Sequence, residues 1–311
     1  MRSKYVEALR KLPPKFKINK AYNKDYLLSE LVYPKITQRK YDGMRCLIVY
    51  GIPFTSDLKP LPNLAVDSAL SSIFTNAKNI PLIDCELLAN PDGGLYDAVG
   101  MFKAKRRADG DIKPFSVCVF DMITANDQWR LPYELRSQHV EDFLMYSLHF
   151  SQKYMFLSNN IFKPDEILIQ SEHDAIEYTK HYPKTWEGLV FRSPSAPYKF
   201  GRSTLNENTF LKWVPWHYSS GKIRVIHMEV DQFGRGKSAA TQKALEKTRA
   251  GAFTIKSPDF QDMFRIGLKG DIMKQHAYNN PELYLDTDIT FKYKEVGKTK
   301  PRSPILVKVN L

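Results

Sequence analysis

The chain has 311 residues, 43% of them hydrophobic and 13% aromatic, and its 46 Lys plus Arg against 34 Asp plus Glu give a net charge of +12. That length fits one large domain or two ordinary ones, and the apolar share is enough for a packed core, which excludes a disordered chain. No apolar run approaches the roughly 20 residues of a membrane span, so no membrane association is expected, and the excess of cations favours polyanions such as nucleic acid.

MRSKYVEALRKL (1–12) is an amphipathic helix candidate with no signal-peptide apolar core. RCLIVY (45–50) predicts a strand and LAVDSALSSIF (64–74) a helix. PLIDCELLA (81–89) and PFSVCVFDMI (114–123) are further strands. LPYELRSQHVEDFLMYSLHF (131–150) is the clearest helix, with Pro132 suited to its first turn. SEHDAIEYTKHY (171–182) is another, with Ser171 as N-cap. EGLVFRS (187–193) and TFLKWV (209–214) return to strand. Cys46, Cys85 and Cys118 lie in these apolar runs without a CxxC pair, which fits reduced thiols in the cytoplasm.

After Trp216 the texture changes. HYSSGK is polar and turn-like. KIRVIHMEV (222–230), GAFTIKS (251–257), MFRIGLKG (263–270), DITFKYKEV (288–296) and PILVKVNL (304–311) are short strands, interrupted by a helical SAATQKALEKTR (238–249). So many strands in so short a stretch predict a small barrel. With the boundary at 217–221, an α+β domain (1–218) precedes a compact β-barrel (219–311).

RKYDGMR (39–45) stands where an apolar strand begins. A lysine becomes a nucleophile by losing its proton, and burial or the nearby Arg39 and Arg45 would bring the Lys40 pKa down to roughly 7–8. Gly43 permits a tight turn beside phosphate, although a plain hairpin turn with a solvated lysine also fits the six residues from Lys40 to Arg45. Asp84 and Glu86 sit inside an apolar run, which is costly unless they have partners. Phe120-Asp121, Glu187-Gly188 and Leu211-Lys212 mark three more strands. Together they supply a lysine nucleophile, carboxylates for a cation, a stacking face and a second lysine, the set that nucleotidyl transfer needs.

The order KxDGxR, DxE, FD, EGLV and LK, followed by a small barrel, resembles the covalent nucleotidyltransferases: ATP-dependent DNA ligases, RNA ligases and mRNA-capping guanylyltransferases. YPKITQRKYDGMR, SDLKPLPN (56–63) and YKFGRSTLNENTFLKW (198–213) resemble the small bacteriophage-type DNA ligases. The resemblance spans about residues 33–311. It implies an adenylation domain with antiparallel sheets followed by an OB-fold barrel. It also implies that Lys40 carries AMP from ATP, that Arg45 meets the ribose and that Glu86 meets the ribose or the metal. Phe120 would stack on adenine, Glu187 would hold Mg²⁺ or Mn²⁺, and Lys212 would touch the α-phosphate. Arg302 and Lys308 in PRSPILVK would orient the pyrophosphate. The implied partner is nicked duplex DNA and the implied state a monomer, at work in the cytoplasm (the host's, for a viral protein).

Three positions depart from the pattern. Cys85 replaces a glycine, Asp57 replaces an arginine expected to hold the nick phosphate, and Val214 replaces a second lysine. Lys59 and Lys222 are the candidate substitutes. FGRGKS (233–238) ends like a phosphate-binding loop, but Asp231 stands where the first glycine is required. An RNA ligase, a capping guanylyltransferase and a non-catalytic nucleic-acid-binding protein remain as alternatives.

Overall fold

The structure, a computed structural model, describes residues 2–89, 94–106, 110, 112–148, 152–183, 186–229, 249–296 and 299–311. FGRGKS and all but the last residue of SAATQKALEKTR lie outside these. The chain divides into two compact units, Met1–Trp213 and Val214–Leu311.

The first unit holds α1 (Arg2–Arg10), β1 (Lys35–Lys40), β2 (Met44–Val49), β3 (Ile52–Thr55), α2 (Leu64–Ile73), β4 (Leu82–Leu88), α3 (Leu95–Phe102), β5 (Ser116–Ile123), α4 (Tyr133–Tyr146), β6 (Ile161–Phe162), β7 (Glu166–Ile169), α5 (Glu172–His181), β8 (Gly188–Arg192) and β9 (Phe210–Trp213). They form two sheets. One is antiparallel, in the order β7-β1-β8-β9; the other runs β3-β2-β4-β5-β6, with only the β5–β6 pair parallel.

β2 explains why RCLIVY reads as a continuous apolar run: it is covered on both faces. Met44, Cys46 and Ile48 enter a core shared with α2 and α4, while Leu47 and Val49 enter a second core closed by Tyr5, Ala8 and Leu12. Helix α2 starts where its pattern starts, because the Asn63 side chain accepts from the amides of Ala65 and Val66. Ser171 caps α5 in the same way, accepting from the Asp174 amide at 3.2 Å.

RKYDGMR is not a hairpin turn. β1 and β2 belong to different sheets, so the three residues between them carry the chain from one sheet to the other. Gly43 is needed for closeness, not for an unusual dihedral. A Cβ there would stand 2.3 Å from the Leu87 carbonyl oxygen and 2.8 Å from Glu86 Cγ. The crossover is therefore pressed against β4.

The second unit holds β10 (His217–Met228), β11 (Ala250–Lys256), β12 (Phe264–Gly267), α6 (Asp271–Asn279), β13 (Asp288–Tyr293), β14 (Glu295–Val296), β15 (Pro301–Arg302) and β16 (Ile305–Val309). Five strands form one antiparallel sheet, β12-β11-β10-β13-β16, whose edge strands β12 and β16 come into contact. HYSSGK, turn-like by composition, is the first half of β10; tertiary pairing with β13 overrides its local preference. No described helix is long and apolar enough to cross a membrane.

Candidate active site

A cleft of about 340 Å³ opens between the two sheets of the first unit. Each sheet contributes a row of side chains set by strand register. On one, Gln38 is paired with Val190 and Val190 with Lys212, while Lys40 stands opposite Gly188. On the other, Arg45 is paired with Glu86 and Glu86 with Cys118. All of these but Gly188 line the cleft, together with Phe120, Arg192 and Phe210.

Phe120 is placed by a bulge. Asp84 pairs with Asp121 and Cys85 with Val119, so Phe120 is the extra residue of β5. Bulges re-aim side chains, and this one presents the Phe120 ring to the cleft, with two guanidiniums, Arg45 and Arg192, each 5.4 Å from the ring centre.

Lys40, 22% exposed, donates to the Glu187 carboxylate, which is 7% exposed. Burial works to lower the lysine pKa, but Glu187, then Glu86 and Asp42, hold it above the ordinary lysine value. The expectation of a lysine tuned down by Arg39 and Arg45 is therefore reversed, because carboxylates, not cations, surround the ammonium. Glu86 shows the opposite tension. Burial, reinforced by Glu187 and Asp84, pushes its pKa up to about 8 despite the opposing pull of Lys40 and Arg45.

The buried acids have partners. Asp84, 1% exposed, accepts from Arg45 through both oxygens, Nε–Oδ1 at 2.8 Å and Nη2–Oδ2 at 2.5 Å, and from the Tyr198 hydroxyl at 3.0 Å. Arg45 also donates to the Asn19 carbonyl at 2.7 Å. The fork pins the guanidinium, since paired bonds fix its plane as well as its position. Asp121, directly opposite Asp84, accepts from Arg136 at 2.8 Å and from Arg192 at 2.9 Å. Burial would raise the Asp121 pKa, but the two guanidiniums hold it below the usual carboxylate value. Arg192 belongs to the other sheet, so this pair ties the sheets together behind Phe120.

Gln38, Arg136, Arg192 and Tyr198 are structural supports that the motif order did not reveal. Gln38 Nε2 donates to the Tyr133 hydroxyl at 2.7 Å and to Glu166 at 2.9 Å. A buried Asp directly after Phe120 was the available signal that a cationic partner had to exist.

Of the expected site residues, the cleft brings together Lys40, Arg45, Glu86, Phe120 and Lys212, with Glu187 bonded to Lys40. Arg302, on β15, and Lys308, on β16, belong to the second unit. Cys85 turns into the core and donates to the Cys46 carbonyl at 3.3 Å, so the replaced glycine leaves the cleft wall intact. Asp57 is exposed and Val214 is 8% exposed. Lys59 is not among the residues lining the cleft, which instead include Lys20 and Arg202.

Among the described residues no group of three His, Cys, Asp or Glu side chains is placed to hold a metal ion. Glu86 and Glu187 offer two carboxylates beside Lys40, and the electrostatic cost of ionising Glu86 is what a cation would relieve. Mg²⁺ commonly binds through one or two carboxylates together with substrate phosphates, so the donor set fits.

No family model and no curated protein sequence matches the chain. Solved structures do. One named Pmar-Lig_Pre superposes with a TM-score of 0.72 at 14% identity, covering 95% of this chain and 67% of that one. A Lig E DNA ligase gives 0.63 at 16% identity over 96% and 100%. Chlorella virus DNA ligase-adenylate gives 0.52 at 20% identity over 94% and 99%. The chain has the fold seen in these DNA ligases.

Proposed function

We propose that the chain is an ATP-dependent DNA ligase that seals 5′-phosphate/3′-hydroxyl nicks in duplex DNA. The observation that carries this reading is the two-sheet cleft, where Lys40 is bonded to Glu187 and faces the row formed by Arg45 and Glu86, with Phe120 beside it.

Lys40 Nζ, once it gives up its proton, attacks the α-phosphorus of ATP; the bond to the β-phosphate oxygen breaks, and pyrophosphate leaves. The resting ammonium is stabilised by its carboxylates, so proton loss must be coupled to ligand binding. Mg²⁺ held by Glu86 and Glu187 would neutralise phosphate oxygens and draw carboxylate charge away from Lys40. Phe120 offers its face to adenine, and Arg45, fixed by Asp84, reaches the ribose. Lys212 contacts the α-phosphate. AMP then passes to the 5′-phosphate of a nick, and the adjacent 3′-hydroxyl displaces it.

The second unit acts as an OB-fold barrel whose Arg302 and Lys308 orient pyrophosphate. Its strand order, its touching edge strands and a helix between β12 and β13 support that reading. The protein works as a monomer in the cytoplasm, with residues 1–218 as the adenylation domain and 219–311 as the barrel.

Incubation with α-labelled ATP or GTP, then with nicked duplex DNA, tests this. A protein adduct from ATP and sealed product are expected. An adduct from GTP alone, or none at all, rules the ligase reading out.

A further inference from the structure

We propose that segment 11–24 is a track for the phosphate backbone of duplex nucleic acid, holding DNA beside the mouth of the cleft; this rests on the reading of the chain as a polynucleotide ligase. Residues 8–24 carry Arg10, Lys11, Lys15, Lys17, Lys20 and Lys24 and no Asp or Glu. The segment sorts its side chains by chemistry. Leu12, Ile18 and Asn19 are buried, whereas Lys15, Lys17, Lys20 and Lys24 are exposed.

The backbone is fastened along its length. Phe16 packs against Trp129 and Phe200, ring centres 5.4 Å away in each case. The Asn19 amide donates to the Tyr198 hydroxyl at 3.3 Å, and the Asn19 carbonyl accepts from Arg45. The Lys20 amide donates to the Gly201 carbonyl at 2.8 Å, the Tyr22 amide to Phe210 at 2.9 Å, and the Lys212 amide to the Tyr22 carbonyl at 3.1 Å. The segment therefore runs from the cleft floor at Arg45 to β9, and Lys20 is part of the cleft wall.

Lys11 pairs with Glu7 at 3.3 Å, but the cations further along the segment are not neutralised in this way. Among the described residues no carboxylate pairs with Lys15, Lys17 or Lys24, in contrast to Lys40, Arg45 and Arg192, which are bonded to Glu187, Asp84 and Asp121. A run of lysines that serves only solubility needs no fixed backbone, and fixing one costs conformational entropy. Holding unpaired ammonium groups in a row suits a polyanion of regular charge spacing, whose binding releases condensed counterions. A lipid surface is the poorer match, because membrane-binding segments direct apolar side chains outward beside their cations, and here Leu12 and Ile18 turn inward.

The test compares three proteins by binding to a nicked duplex over a salt series: wild type, Lys15→Gln/Lys17→Gln/Lys24→Gln, and a control of equal charge loss on the same unit, Lys78→Gln/Lys103→Gln/Lys113→Gln. At about 0.9 per phosphate contact, the track variant should lower the slope of log affinity against log salt by roughly 2.7, which corresponds to binding weaker by roughly 500-fold at about 0.1 M salt if the two proteins bind alike at about 1 M. The control should stay close to wild type, and adduct formation with ATP should be unchanged in both variants. Equal slopes for track variant and control, or a wild type that does not bind the duplex, overturn the proposal. Binding is read without catalysis. A wild type that binds DNA with the expected slope but forms no adduct therefore removes the ligase reading and leaves the track standing.

Discussion

At Glu86 the electrostatics of the cleft can be tested without DNA. Its folded pKa, about 8, lies above the roughly 4.3 of an unfolded glutamate. A raised folded pKa means that the folded state binds the extra proton, so its stabilising contribution is full below pH ~4.3 and is lost as pH rises through 8. Glu86→Gln should flatten that loss. The melting temperature of the variant relative to wild type should climb between pH 5 and 8 and level off above, with Mg²⁺ narrowing the gap by stabilising wild type alone. A gap independent of pH contradicts the assignment. The residue scale is also where the sequence misled. RKYDGMR showed a lysine among arginines, but the two carboxylates that raise its proton affinity most come from the residue before β8 and from β4, far away in the chain, and Asp42 within the motif adds less. Sequence neighbours and spatial neighbours differ, and only the latter act through Coulomb's law.

Elements explain why the motif spacing works. The crossover between β1 and β2 places Lys40 on one sheet and Arg45 on the other, and Gly43 lets it lie against Leu87. Gly43→Ala should cost about 1–3 kcal/mol of stability, the usual range for overpacking, because the 2.3 Å approach is to backbone that cannot rotate away. Adduct formation should fall with it, since the same shift moves Lys40 relative to Glu86. Denaturant unfolding measures the first effect and adduct yield at saturating ATP the second; an alanine variant of wild-type stability removes the packing argument. Strands with long apolar runs, β2, β4 and β5, were legible because burial on both faces leaves little room for polar residues. β1, KITQRK, was not, because a strand whose side chains serve a polar cleft loses its hydrophobic signature. Helix α6 was missed for a similar reason: in DIMKQHAYN, Ala277 is fully buried and Ile272 is exposed, so no clear apolar stripe marks it.

For the whole molecule, motif order carried most of what composition could not. Length and charge allowed many basic two-domain proteins; a lysine, two glutamates and a phenylalanine in or beside strands of one domain pointed to nucleotidyl transfer. The structure adds how these strands converge, through two facing sheets joined by Asp121 with Arg192 and by the crossover. It also places two cations that the motifs did not single out, Lys20 and Arg202, on the cleft wall. The proposed reaction turns on Lys40 as the group that carries AMP. The decisive measurement is sealing of nicked duplex DNA by Lys40→Ala with ATP and Mg²⁺, beside transfer of label from α-labelled ATP to protein. The account predicts no labelled protein and no sealing above background, with the variant still folded; sealing equal to wild type contradicts it.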